Sequence, residues 1–211
     1  MELRLNTHPE TTILPRTIWC LGRNYAEHAR ELGNAIESKP LVFQKGLNAL
    51  TPFTGEVLLN WSLGAIHYET ELVLLMTRKA GKATIAGVGL GLDLTLRELQ
   101  SALKSGGKPW TLAKSFDHAA IISDFIPALE LGDLNALRYT MHVNGELRQT
   151  GETEKMILPM DQTVDYLETY TALQAGDLIF TGTPAGVGAL QPGDVVTAAL
   201  EGELQVSIKL L

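Results

Sequence analysis

Twenty glycines and nine prolines punctuate this 211-residue chain. Breaks that frequent suit strands and turns and are too many for a helical bundle. The apolar pattern agrees. Leu204, Val206, Ile208 and Leu210 alternate with polar residues, the period of a half-buried strand. Asn144-Gly145 lies at the centre of the stretch from Tyr139 to Arg148, and both residue types tolerate the positive φ of a two-residue hairpin turn. Gly-Asp pairs at 132–133, 176–177 and 193–194 mark further turns.

Three short helices fit between the strands. Asn24 and Glu27 have the spacing of a capping box for a helix running to Gly33. Thr95 and Glu98 have it for a second, with Leu96, Leu99 and Leu103 on its apolar side and a stop at Gly106-Gly107. Asp161 is placed to cap a third, with Val164, Leu167 and Thr171 on one face and a stop near Gly176. These helices do not alternate regularly with strands. The expected class is therefore α+β, mostly β, with a mixed or antiparallel sheet. No repeat, linker or shift of composition divides the chain, so residues 1–211 are expected to form a single domain.

Several function classes are excluded early. The net charge is −7 and the basic residues are scattered, which forms no nucleic-acid stripe. Cys20 is the only cysteine, so an intrachain disulfide and a thiolate zinc cluster are both ruled out. A reducing compartment, most simply the cytoplasm, is expected. The longest stretch without polar side chains, Ile85 to Leu92, is far short of the roughly 18 residues of a membrane span, and the N-terminus lacks a signal-peptide layout.

The segment His67-Tyr68-Glu69-Thr70-Glu71 runs into the apolar Leu72-Val73-Leu74-Leu75. On a strand, Glu69 and Glu71 share a face. Two such carboxylates repel unless positive charge lies between them, and a hard divalent cation such as Mg²⁺ would supply it. The alternative is an exposed strand end with two solvated acids. Asp93 is a third acid, set in the otherwise uncharged, glycine-rich run 87–95. It needs a partner there, or else it helps to cap the helix after Thr95. The three acids are expected to converge without an internal counter-charge. Gly87, Gly89 and Gly91 do not have dinucleotide-fingerprint spacing.

His28 and Glu31 stand three apart on the first helix, so both project from one face. A carboxylate beside an imidazole orients it as a general base needs, though such pairs also decorate ordinary helix surfaces. Lys114 is a lone cation among apolar and small neighbours, either a surface lysine or an oxyanion partner. Thr181-Gly182-Thr183-Pro184-Ala185-Gly186-Val187-Gly188 follows the apolar Leu178-Ile179-Phe180. Its small residues let backbone amides approach an anion closely; a purely structural loop is the alternative.

In order, these segments resemble the fumarylacetoacetate hydrolase family, whose single-domain members include acylpyruvate hydrolases and oxaloacetate decarboxylases or tautomerases. The match runs from Gly22-Arg23-Asn24-Tyr25-Ala26-Glu27-His28 to Gly193-Asp194, and the loop Thr181–Gly188 is its most specific motif. The resemblance implies a mixed β-sandwich roll, usually a homodimer, with Mg²⁺ or Mn²⁺ in the pocket. It implies Glu69, Glu71 and Asp93 as metal ligands, His28 and Glu31 as catalytic dyad and Lys114 as the active-site lysine. Arg97, Gln100 and Thr183 fall on its substrate-contacting positions. Two stretches depart from the pattern: the span from Glu71 to Asp93 is shorter than usual, and Gly46 follows Lys45 where proline is usual.

The activity so implied is metal-dependent cleavage of a carbon–carbon bond in a short 2,4-dioxo acid by way of an enolate. The partner is a small 2-oxo acid, with neither nucleic acid nor membrane. Decarboxylation or keto–enol tautomerisation of oxaloacetate is the alternative for the same site. From another class, a non-catalytic binding or assembly module on this fold is the rival reading.

Overall fold

The computed structural model describes residues 1–6, 8–31, 33 and 39–211, residues 8–11 by their backbone alone. Its centre is an antiparallel hairpin of two long strands, Thr70–Lys79 and Lys82–Asp93. Ala80 and Gly81, both at positive φ, make the tight turn that joins them. The shortened span between Glu71 and Asp93 is thus a direct hairpin with no helix in it. Around it an eight-stranded mixed sheet runs Leu41–Lys45, Ile18–Gly22, Leu178–Phe180, the two hairpin strands, Ala120–Ile122 and Leu50–Pro52. Ile126–Pro127 pairs with the second hairpin strand off this path.

A five-stranded sheet holds the Arg138–Val143 and Glu146–Glu152 hairpin, Val195–Leu200, Leu204–Leu210 and Glu56–Val57. Asn144 and Gly145 turn its first hairpin at positive φ, as their chemistry predicts. Three short strands, Thr95–Leu96, Ile66–Tyr68 and Gly188–Ala189, form a small sheet at the pocket end of the long hairpin. The mostly-β curled architecture agrees with the expected class. Leu72, Val73, Leu74, Leu75 and Met76 are all fully buried, so both faces of the hairpin are covered. Each such side chain contributes about 1.5–3 kcal/mol by leaving water.

The glycines of the 87–91 run serve packing. A Cβ on Gly91 would lie 2.6 Å from Val73 Cγ2 and 2.8 Å from the Phe180 ring, and one on Gly89 would lie 2.8 Å from Ser123 Oγ. Their bareness lets neighbouring side chains lie flat on the strand.

The α-helices among the described residues are α1, Ala26–Glu31; α2, Arg97–Ser105; α3, Thr111–Lys114; and α4, Met160–Glu168. None of the three proposed caps is made. The Asn24 amide donates to Leu158 O and Thr181 O, and its oxygen accepts from Leu158 N, so it ties α1 to the 181–188 loop. Thr95 belongs to a strand and donates to Asp93 O, leaving Leu96 ahead of α2 with no side-chain cap. Pro159 precedes α4, and Asp161 sits in its first turn. A tertiary partner replaced the local option for Asn24 and a strand replaced it for Thr95, whereas α4 simply begins at Met160, ahead of Asp161, and ends at Glu168, short of Thr171 and Gly176. Residue 32, in the last turn expected of α1, lies outside the described residues.

Candidate active site

Strand register brings the acids together. Asp93 N donates to Glu69 O at 2.8 Å, and Glu71 pairs with Gly91, so the end of one hairpin strand faces the start of the other. Glu69, Glu71 and Asp93 are all buried and offer oxygens within 4.8 Å of one another.

The expectation that they lack an internal counter-charge is corrected here. Lys114, at the end of α3, is itself buried, and its Nζ lies 2.6 Å from Glu69 Oε2 and 2.7 Å from Asp93 Oδ2. Lys45 Nζ, from the edge strand Leu41–Lys45, lies 2.7 Å from Asp93 Oδ1 and 3.2 Å from Leu94 O. Arg97, first residue of α2, pairs with Glu69 Oε1 through Nη2 and donates through Nη1 to Gln100 Oε1 at 2.7 Å. The Gly46 N–H donates to Ser115 Oγ at 2.7 Å, a bond that proline could not make.

Glu71 is the acid apart. It accepts from Gly182 N at 2.6 Å, while the three cations are paired to Glu69 and Asp93. Burial, then the charges of Asp93 and Glu69, push its carboxyl well above the ordinary range; Lys114 and the Gly182 N–H only partly oppose this. For Glu69 burial acts the same way, but Lys114 and Arg97 outweigh it and hold the carboxyl below that range. Lys114 is raised because Asp93 and Glu69 outweigh its own desolvation. Cys20 is buried in the sheet, where desolvation pushes its thiol up, so it is no nucleophile.

His28 Nδ1 lies 3.3 Å from Glu31 Oε2, and Glu31 Oε1 accepts from Gly186 N at 3.0 Å. The 181–188 loop therefore touches both an acid of the cluster and the dyad. Two of its glycines have no substitute: a Cβ on Gly186 would lie 2.2 Å from Arg148 O, and one on Gly182 2.7 Å from Asn24 Cβ, both at positive φ. His28, Glu69, Glu71, Asp93, Arg97, Gln100, Lys114 and Thr183 line one pocket of about 50 Å³, and Glu31 reaches it through His28.

The donor set suits a divalent ion. Three carboxylates with neither nitrogen nor sulfur among them are hard ligands of the kind Mg²⁺ and Mn²⁺ take, and Glu71 is the one left uncompensated by a paired cation.

The comparisons with known proteins decide the family. The family model "Fumarylacetoacetate (FAA) hydrolase C-terminal" matches residues 17–209. The chain belongs to this family. It is 39% identical over 202 residues to the rat mitochondrial oxaloacetate tautomerase FAHD1, covering 92% of this chain and 91% of that one. The oxaloacetate tautomerase YcgM of Escherichia coli K12 is 40% identical over 191 residues, 87% of each chain. The fumarylpyruvate hydrolase of Pseudomonas aeruginosa, solved with Mn²⁺ and pyruvate, superposes with a TM-score of 0.92 at 33% identity, over 100% of this chain and 95% of that one. Like these family members, the chain is an enzyme of hydrolase, decarboxylase or isomerase type, and no helix among its described residues is long and apolar enough to cross a membrane.

Sequence reasoning missed three contributors. Lys45 ends an apolar strand, a place where a lysine usually escapes to solvent. Asn24 looked like a cap. Gln149 looked like any polar residue of a hairpin, yet it is buried and makes three hydrogen bonds.

Proposed function

We propose that this chain is a divalent-metal-dependent enzyme that forms the enolate of a short 2-oxo acid, with keto–enol tautomerisation of oxaloacetate as its reaction. The observation that carries this reading is the convergence of Glu69, Glu71 and Asp93 within 4.8 Å in a small pocket lined by His28 and Lys114. The two named tautomerases at 39% and 40% identity support the substrate.

Mg²⁺ or Mn²⁺ held by Glu69, Glu71 and Asp93 would supply Lewis acidity toward the 2-oxo acid. His28 acts as the base, with Glu31 holding its Nδ1 so that the other ring nitrogen serves the pocket. It takes a proton from C3 of oxaloacetate; the C–H electron pair becomes the C2–C3 double bond, and the keto oxygen gains the charge. The Lys114 ammonium is a fixed positive charge in the same pocket to meet it. Return of the proton to that oxygen gives the enol, with no atom gained or lost. Arg97 and Gln100, bonded to each other at the start of α2, hold the substrate carboxylate.

Hydrolysis of a short acylpyruvate is the second reading. The oriented His28–Glu31 pair favours it, since that arrangement also activates water. His28 would take the proton of water, the oxygen would add to the distal carbonyl, and the carbon–carbon bond would break with its electron pair entering the enolate. In this proposal residues 1–211 act as one catalytic domain, as a cytoplasmic homodimer whose mass light scattering would report.

The test is a panel of oxaloacetate and short acylpyruvates assayed with Mg²⁺ and with EDTA. Fast, EDTA-sensitive loss of oxaloacetate enol absorbance, with acylpyruvates slow, is expected. Fast acylpyruvate cleavage with slow oxaloacetate exchange selects the second reading, and activity untouched by EDTA overturns both.

A further inference from the structure

Gln149 belongs to the five-stranded sheet, yet its buried side chain crosses to the 181–188 loop behind Thr183, which lines the pocket. Its Oε1 accepts from Thr70 N at 2.9 Å, and its Nε2 donates to Pro184 O at 2.9 Å. Both of those partners are backbone groups with one possible role each, so the orientation of the amide is fixed. Nε2 also lies 2.8 Å from Thr183 Oγ1 and donates to it. The Thr183 hydroxyl in turn lies 2.9 Å from Thr70 O, a carbonyl that can only accept. A hydroxyl has one hydrogen and two acceptor positions. The hydrogen is given to Thr70, one acceptor position is taken by Gln149, and what Thr183 has left for a ligand is a lone pair.

We propose that Gln149 is a positioning residue which, with Thr70, fixes the Thr183 hydroxyl as a hydrogen-bond acceptor, so that this side of the pocket takes an O–H donor. The inference rests on the pocket reading given under Proposed function and adds the polarity of one wall. Carboxylate and keto oxygens bring only lone pairs and are disfavoured at the Thr183 hydroxyl. An enol hydroxyl carried by the ligand, or a water molecule poised for attack, brings the matching hydrogen. A site of this polarity tells the enol form of a 2-oxo acid from the keto form.

Calorimetry on Mn²⁺-loaded protein with two small probes tests this. Glycolate carries a hydroxyl donor, whereas fully ionised oxalate has none. Thr183→Val is expected to weaken glycolate about 10-fold, the scale of one lost hydrogen bond, and oxalate less than 2-fold, with Thr183→Ser restoring glycolate. If the donor is water, neither probe weakens, and Thr183→Val instead lowers kcat for acylpyruvate cleavage about 10-fold at constant KM. Gln149→Met frees the hydroxyl to turn, so the glycolate-to-oxalate affinity ratio falls about 3-fold or more without loss of oxalate binding. Equal weakening of both probes by Gln149→Met marks a merely structural residue and overturns its positioning role. If that variant does not fold, the Thr183 pair still decides the polarity. Oxalate weakened by Thr183→Val as much as glycolate overturns the inference alone, as does no change in any of these measurements. Failure of both probes to bind the wild type overturns the pocket reading along with it.

Discussion

The two ends of the central hairpin handle charge in opposite ways. At the pocket end, Glu69, Glu71 and Asp93 are almost wholly buried and share space with buried Lys45 and Lys114. At the turn end, Arg78 Nη1 meets Glu168 Oε1 at 2.9 Å, with both side chains about a quarter exposed. Between them lies a stretch with no charge at all, from Leu72 to Met76. Burying ions costs more than it returns unless something else gains. The pocket end is therefore where this fold gives up stability for chemistry, the middle is where stability comes from, and the turn end is neutral.

The sharpest break of that comparison is Glu71→Gln, which keeps the shape of the acid and removes its charge. Metal binding and activity should vanish, while the metal-free protein should melt no lower than wild type. The sign follows from the raised Glu71 carboxyl. A group whose folded value lies above its unfolded one stabilises fully below the unfolded value, and that benefit is lost as pH rises through the folded value. Above that point the metal-free wild type holds a costly charge that the variant lacks. Saturating Mg²⁺ should raise the wild-type melting point, by about 2.7 kcal/mol of stability at a hundredfold excess over Kd, and leave the variant unmoved. A variant that still gains stability from Mg²⁺ would remove Glu71 from the ligand set.

Next comes His28→Ala. Base catalysis is worth about 10²–10⁴-fold, so proton exchange at C3 of oxaloacetate should fall by that factor with Tm nearly unchanged. Glu31→Gln should act in the same direction more weakly, because the Gly186 N–H keeps an acceptor at that position. Unequal losses for oxaloacetate and acylpyruvate would show which substrate relies on the base.

Leu74→Ala inverts the pattern. Leu74 is fully buried, between Val88 and Ile179 in the ladder. A large-to-small change there costs about 2–5 kcal/mol, or roughly 4–20 °C at about 2–4 °C per kcal/mol for a chain of this size. Activity per folded molecule, measured well below the new Tm, should stay near wild type. A matching loss of kcat would mean that the middle of the hairpin also sets the pocket geometry.

The same contrast explains what the sequence could and could not disclose. Glu69 and Glu71 were legible because a strand repeats every two residues, and Asp93 because it is the lone acid of a glycine-rich run. The Asn144-Gly145 turn was legible because its backbone demands those residues. Lys45, and the placement of Lys114 on Glu69 and Asp93, were not, since each contact joins segments at least 21 residues apart in the chain. Asn24, Thr95 and Asp161 misled for a related reason. Their local capping chemistry was sound, but Leu158 and Thr181 for Asn24, the strand pairing of Thr95 with His67, and Pro159 ahead of α4 took precedence.

The smallest expected effect belongs to the turn end. Glu168 accepts from Leu173 N at 2.7 Å as well as from Arg78. Burial works to raise its carboxyl, but the Arg78 guanidinium and the Leu173 N–H together hold it below the ordinary value. Because the folded value is depressed, the stabilisation is present above the unfolded carboxylate value of about 4.3 and is lost as pH falls through the folded one. Glu168→Gln keeps an acceptor for both donors and removes only the charge. Partly exposed pairs are worth about 0–1 kcal/mol, so at pH 7 the variant should melt no more than about 4 °C below wild type, taking about 4 °C per kcal/mol as the upper slope. That gap should shrink in high salt, which screens exposed pairs more than buried ones. It should narrow as pH falls below the unfolded carboxylate value and close once the wild-type carboxyl is protonated. A gap that does not narrow with acid or with high salt would show that Glu168 acts through packing of the 168–173 turn, and the turn end would then be a structural site with little electrostatic character.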